Sequence, residues 1–146
     1  MQSFSQEIFN LYVPSSGLIS GLRVSDRRVG DVRIVDLSGS FSRGFGLQFF
    51  DERVRHLVQE GARNLAIDLE HVSEIDSSGF GALAVAHNWV EQAGGQIKLF
   101  AASERVKHTL IRLHFDKVFE IVDDQDAVLR AFGAPASEQP ESLAEG

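Results

Sequence analysis

Cysteine is missing from the chain altogether. Its absence excludes a disulfide framework, a thiolate metal site and a cysteine nucleophile, and it fits a cytoplasmic protein. Basic charge is also scarce: 14 Lys and Arg against 21 Asp and Glu give a formal net charge of −7. Neutralising phosphates needs a basic face, so direct nucleic-acid binding is not expected. No apolar run approaches the ~20 residues that span a bilayer, so no membrane segment is expected. The opening residues Met1-Gln2-Ser3-Phe4-Ser5-Gln6-Glu7 lack a basic region and an apolar core and do not read as a secretory signal. No internal repeat is present.

The signatures of several common chemistries are missing too. There is no Gly-x-Ser-x-Gly elbow, so a serine hydrolase is unsupported. His56, His71, His87, His108 and His114 are scattered, and none pairs with a second donor at metal-ligand spacing. No metal site, no cofactor and no catalytic residue are therefore expected. His87 lies on an apolar helical stripe and reads as a core or boundary residue. Gly44-Phe45-Gly46 sits between strand and helix patterns, as a dinucleotide loop would, and Asp68 follows at a suggestive distance. Phe49 stands where the third, close-packing glycine belongs, so the segment reads as a strand-to-helix loop. Trp89 lies off the apolar stripe of its helix, as a contact surface or as a ring partly buried against a loop.

What is present is an ordinary globular composition, 43% apolar and 24% charged over 146 residues, which suits one domain. Residues 1–17 are an N-terminal arm or leader carrying Ile8, Phe9, Leu11, Tyr12 and Val13, ended by Pro14-Ser15-Ser16-Gly17. The cluster is apolar enough to favour an arm that packs on the domain or on a neighbouring subunit. Residues 18–132 form the domain. Strands are expected over 18–24 and 32–37, joined by a polar turn through Asp26, Arg27, Arg28 and Gly30. A helix follows with Leu47, Phe50, Val54, Leu57 and Val58 on one face and Gly61 as its stop. Residues 65–69 read as a strand. A helix from Ser78 to Gly94-Gly95 carries Phe80, Leu83, Ala84, His87 and Val90. A strand over 96–101 precedes a helix capped by Ser103, with Val106, Leu110 and Leu113 on its stripe. A short strand over 118–122 leads to a last helix, capped by Asp123 or Asp124, with Ala127, Val128 and Phe132. Residues 133–146 read as a disordered acidic tail. Alternating strands and helices predict an α/β domain. Its first two strands are too close for a crossover and should form an antiparallel hairpin.

The most informative run is Ile75-Asp76-Ser77-Ser78-Gly79-Phe80-Gly81-Ala82-Leu83. It places two hydroxyls and a carboxylate where a strand gives way to a helix. A helix N-terminus exposes N–H groups and carries partial positive charge. A hydroxyl there can cap the helix or carry a phosphate, and on spacing alone the cap is the commoner use. Asp76 is equally readable as a simple cap or turn former. Ser78 reads as lying inside the first turn. Gly79 serves either close packing or recognition.

This run resembles the signature of STAS domains, the family of bacterial anti-sigma-factor antagonists. The likeness extends to Val29-Gly30-Asp31-Val32-Arg33-Ile34-Val35-Asp36-Leu37-Ser38-Gly39, which is similar to the family's opening hairpin. Gly94-Gly95-Gln96-Ile97-Lys98-Leu99 resembles its post-helix strand, and Leu113-His114-Phe115-Asp116-Lys117-Val118-Phe119-Glu120-Ile121 its closing strand. Together these cover roughly residues 22–132. The resemblance implies an α/β, STAS-like single domain: a mixed sheet opening with an antiparallel hairpin, helices mainly on one side.

The resemblance also implies a function. Ser77 occupies the family's phosphorylation position. Asp76, Ser77, Ser78, Gly79, Phe80 and Arg43 fall where the family meets its partners. Those partners would be an anti-sigma factor that is also a serine protein kinase, bound when Ser77 is unphosphorylated, and a serine phosphatase that resets the switch. A homodimer is left open. Some dedicated antagonists carry an aspartate shortly after the position of Gly39; here Phe41-Ser42-Arg43 follows. Two other classes remain: a STAS scaffold or lipid-transporter accessory subunit with a silent serine, and a nucleotide-binding module using the Gly44–Gly46 loop.

Overall fold

The computed structural model describes residues 21–133; the proposed arm and tail lie outside them. Five strands form one sheet in the order β1-β2-β3-β4-β5. They are β1 (Leu22–Val29), β2 (Val32–Phe41), β3 (Asn64–Ile75), β4 (Gln96–Phe100) and β5 (Ile121–Val122). β1 and β2 are antiparallel, and every later pairing is parallel. The helices are α1 (Phe45–Gln59), α2 (Ser77–Gln92), α3 (Glu104–Arg112) and α4 (Gln125–Ala131), with a single 3₁₀ turn at Phe115–Lys117. This is the expected mixed α/β sheet with its opening hairpin.

Alternation along the strands assigns the two faces. Val35 and Leu37, Leu65, Ile67 and Leu69, and Ile97 and Leu99 point to one side. There they meet Phe50, Val54 and Leu57 of α1, Phe80, Leu83, Ala86 and Val90 of α2, and Val106 and Leu110 of α3. Val32, Ile34, Ala66 and Phe100 point to the other side, covered by Val128 and Leu129 of α4. Three helices thus pack on one face and one on the other. Each fully buried large apolar side chain contributes ~1.5–3 kcal/mol. The edge-to-face pair Phe41–Phe50, with centroids 5.1 Å apart, pins the end of β2 to α1.

Several expected boundaries move. The hairpin turn is Gly30-Asp31, not the stretch from Asp26, because the strand charges are paired: Asp26 binds Arg33 and Arg53, and Arg27 binds Asp36. Gly30 has φ +62, as the first central residue of a II′-type turn requires. β3 runs six residues beyond Leu69, to Ile75. It stays paired because its 12 residues lie beside the 10 of β2, the excess being taken up in register shifts between Asp36 and Ser38 and between Gly39 and Ser40. After the first shift the alternation changes phase, so Leu69 and Val72 both face the helical core. On α2, Ala86 is buried while Ala84 is exposed. Leu113 is 46% exposed, since α3 ends at Arg112 and the chain turns through His114 at φ +67. The expected strand over 118–122 shrinks to Ile121–Val122, with Phe119 turned into the core.

Candidate functional site

The bulged end of β3 delivers Ile75 beside Phe41, the last residue of β2, and the Asp76 N–H donates to the Phe41 carbonyl at 3.4 Å. Asp76 is extended and forms the N-cap of α2: its Oδ1 accepts from the Gly79 N–H at 3.0 Å. Its Oδ2 accepts from the Arg43 N–H at 3.4 Å, tying the β2–α1 loop to the mouth of α2. The bond from Gly79, aided by those from Arg43 and Ser78 and by the Arg43 charge, outweighs slight burial and holds the Asp76 carboxyl below the usual aspartate range.

The cap therefore belongs to Asp76, and the ordinary capping role that spacing favoured for Ser77 is already filled. Ser77 is the first residue of α2 and is exposed; Ser78 is half-buried. Gly79 is buried, and a Cβ there would lie 2.1 Å from the Phe41 carbonyl oxygen. Its smallness serves the close approach of α2 to β2. Phe80 is 8% exposed, and its ring lies 5.1 Å from Phe115. Gly79 and Phe80, expected on the partner-facing surface, thus point into the fold. Ser77, Ser78 and Arg43 remain on its surface.

The ring contacts continue inward. Phe115 stacks on Phe119 at 5.9 Å, and Phe119 meets His87 edge-on at 5.3 Å. His87 is a boundary residue, half-buried and 3.6 Å from Glu91. Beside the motif, Ser42 and Ser40 are 2.7 Å apart, and Ser40 donates to Glu74 at 3.3 Å. Glu74 and Asp76 make the rim of Ser77 acidic. Phe45, just past the N-cap Gly44, is 77% exposed. Trp89 is 39% exposed and lies under the Arg55 guanidinium at 5.4 Å.

One cluster escaped the sequence reading. Asp36 and Asp68 are register partners on adjacent parallel strands, on the face away from α1, α2 and α3. Arg27 reaches Asp36 at 2.8 Å and Asp68 at 3.8 Å. Burial and the hydrogen bond with Asp36 push Asp68 up to about 6, against a bond from the Glu70 N–H. For Asp36 burial pushes upward as well, but bonds with Arg27 and Asp68 and the Arg27 and His71 charges outweigh it, and its pKa is lowered. The two carboxyls thus stand side by side beside one guanidinium, Asp68 raised and Asp36 lowered. Only the strand register reveals it; the signal in the sequence is an acidic residue inside each of two apolar strands. Among the described residues no group of three His, Asp or Glu side chains is placed to hold a metal ion. No helix there is long and apolar enough to cross a membrane.

Solved structures share this architecture. An anti-sigma factor antagonist from Mycobacterium paratuberculosis superposes with a TM-score of 0.65 at 20% identity, over 75% of this chain and 92% of that one. The anti-sigma factor antagonist SpoIIAA in its unphosphorylated form gives 0.63 at 19% identity, over 77% and 99%. The Bacillus cell-fate determinant SpoIIAA in its phosphorylated form gives 0.60 at 17% identity, over 75% and 99%. At these identities the likeness establishes the fold. A family model described as the STAS domain matches residues 23–127, well over half of the chain. The chain belongs to the STAS domain family.

Proposed function

We propose that this protein is an anti-sigma-factor antagonist working as a phosphorylation-controlled partner switch, with Ser77 as the acceptor. Unphosphorylated, it binds an anti-sigma factor that is also a serine kinase, and the sigma factor is released. Phosphorylated, it lets go, and a serine phosphatase resets it. The domain itself has no catalytic role in this reading, and the exchange takes place in the cytoplasm.

The observation that carries the reading is the division of labour at α2: Asp76 satisfies the helix end, leaving the Ser77 hydroxyl exposed on its first residue. A phosphate there adds about −1.5 to −2 charges. The helix N-terminus tolerates that charge within the fold. A partner surface shaped for a small neutral group does not, and Glu74 and Asp76 sharpen the repulsion toward an acidic partner. Little refolding is required, because the switch is local electrostatics. The fold shared with an antagonist solved in both phosphorylation states supports the same reading.

The test uses three variants with the kinase captured from a lysate. Ser77→Ala keeps partner binding and blocks the mass increase on incubation with ATP. Ser77→Asp weakens binding by at least ~2 kcal/mol, more than tenfold, because a charge enters a contact built for a neutral group. Ser78→Ala is still phosphorylated. Intact mass with peptide mapping decides. Phosphate on Ser78, or a Ser77→Asp protein that binds like wild type, removes the mechanism and favours the scaffold reading.

A further inference from the structure

Ser77 is presented on a helix end whose donors are already in use. The Asp76 carboxylate accepts from the Gly79 N–H at 3.0 Å and from the Ser78 N–H, and the Phe80 N–H donates to the Asp76 carbonyl. A phosphate on Ser77 would gain the helix dipole but few free N–H groups, and it would stand beside the carboxylates of Glu74 and Asp76. Its three strong acceptor oxygens need donors from another element.

One donor-rich side chain is tied to this point. The Arg43 N–H donates to the Asp76 Oδ2 at 3.4 Å, so the β2–α1 loop places Arg43 against the residue that precedes Ser77. The Arg43 charge reaches the Asp76 carboxyl and helps to keep it ionised. Arg43 is exposed, and among the described residues its guanidinium makes no ion pair and no hydrogen bond. The local acids are committed elsewhere. Asp76 Oδ1 and Oδ2 accept from the Gly79 and Arg43 N–H groups, and Glu74 accepts from the Ser40 hydroxyl. The arginines of the hairpin and of α1 are placed differently: Arg27, Arg33, Arg53 and Arg55 each lie against an aspartate. Arg43 is thus a cation without a counter-ion, beside a hydroxyl that can gain about two negative charges.

We propose that Arg43 is the intramolecular receptor for a phosphate on Ser77: once the group is in place, the guanidinium turns onto it and binds two of its oxygens. A planar guanidinium presents paired N–H donors that match a phosphate edge, and such charge-assisted bonds are roughly twice as strong as neutral ones. The β2–α1 loop, tied to the α2 cap through a long backbone bond, is then fastened by a charged side chain as well. Phosphorylation in this way withdraws a cation from the surface while adding an anion to it. That effect on binding rests on the partner-switch reading; the pair itself forms in any chain carrying phosphate at position 77.

The test uses the full chain with phosphoserine incorporated at position 77 during translation, so neither kinase nor partner is needed. Phosphorus NMR follows the second ionisation of the phosphate, ordinarily near pH ~6. It should lie at least ~0.5 pH unit lower with Arg43 than in the Arg43→Gln protein, because the guanidinium favours the dianion. Arg28→Gln, at the hairpin end of the sheet, should leave it unchanged. The Arg43 Nε–H proton should exchange with water several-fold more slowly in the phosphorylated chain than in the unmodified one. Titrations that coincide with and without Arg43, an equal shift from Arg28→Gln, or an Nε–H exchange rate untouched by the phosphate would overturn the proposal. Because the phosphate is built in, such a result counts against the pair and not against the partner-switch reading.

Discussion

Replacing Gly79 with alanine probes the joint on which the Ser77 site rests. An ideal Cβ at position 79 lies 2.1 Å from the Phe41 carbonyl oxygen, 2.9 Å from the Ile75 Cγ2 and 3.1 Å from the Phe41 carbonyl carbon. The closest obstacle is backbone, and it cannot rotate away. It is held by the Asp76 N–H, and its residue is locked by the fully buried Phe41 ring against Phe50. Roughly 1 Å of separation between β2 and α2 must open. Overpacking of this kind costs about 1–3 kcal/mol, and a rigid obstacle points to the upper end. Alanine returns ~0.5–1 kcal/mol as a better helix former. The net loss is about 2 kcal/mol, a fall in Tm of roughly 8 °C for a domain near 100 residues. Gly81 is the control on the same helix: nothing lies within 4 Å of its Cβ position. Gly81→Ala should raise Tm by a few degrees through propensity alone. Scanning calorimetry of both variants decides. Equal shifts, or a Gly79→Ala protein as stable as wild type, refutes the claim that close approach of β2 dictates this glycine.

Further outcomes follow from the same geometry. Asp76→Ala should lose about 1 kcal/mol in a denaturant titration, the usual cost of an N-cap, while Asp76→Asn retains most of it; an unaffected midpoint in the alanine variant would show that the cap is dispensable. Asp68 holds its proton more tightly in the folded chain than in the unfolded one, so its contribution to stability is present below about pH 4 and is lost as pH rises through about 6. The Asp36 contribution has the opposite sign and is lost as pH falls below about 4. Carboxyl-carbon NMR should find Asp68 titrating near pH 6, and Asp68→Asn should abolish the fall in stability between pH 4 and 6. A normal Asp68 titration would refute the claim that burial beside Asp36 raises its pKa.

The helices and the motif junction were legible because their signals are local. Asp124 and Ser103 cap the helices that follow them, as the spacing suggested, and Gly61 and Gly133 adopt positive φ just after helix ends. What escaped depends on partners distant in sequence. The charged stretch from Asp26 to Arg28 looks like a turn until Arg33, Arg53 and Asp36 are placed opposite it. The end of β3 looks polar and irregular until the bulges re-phase it against β2. Asp36 and Asp68 are unremarkable singly, and only parallel register makes them a pair. The opposite holds for Phe80, whose place in the motif suggested a surface role; for Gly79, readable as close packing or recognition, the structure shows close packing. Their burial reflects how closely α2 must sit on β2, a requirement no local pattern expresses.

The prominence of Ser77 is a consequence of how its neighbours are used. The Asp76 carboxylate is occupied by the Gly79 and Arg43 N–H groups. The Ser40 hydroxyl is joined to that of Ser42 and donates to Glu74. Gly79 and Phe80 are consumed in packing, and Ser78 turns half inward. Each of these commitments also stiffens the turn, so the one side chain left exposed on the first residue of α2 is presented from a rigid frame. On the proposed reading, a phosphate there would add charge without dismantling any contact that holds the fold.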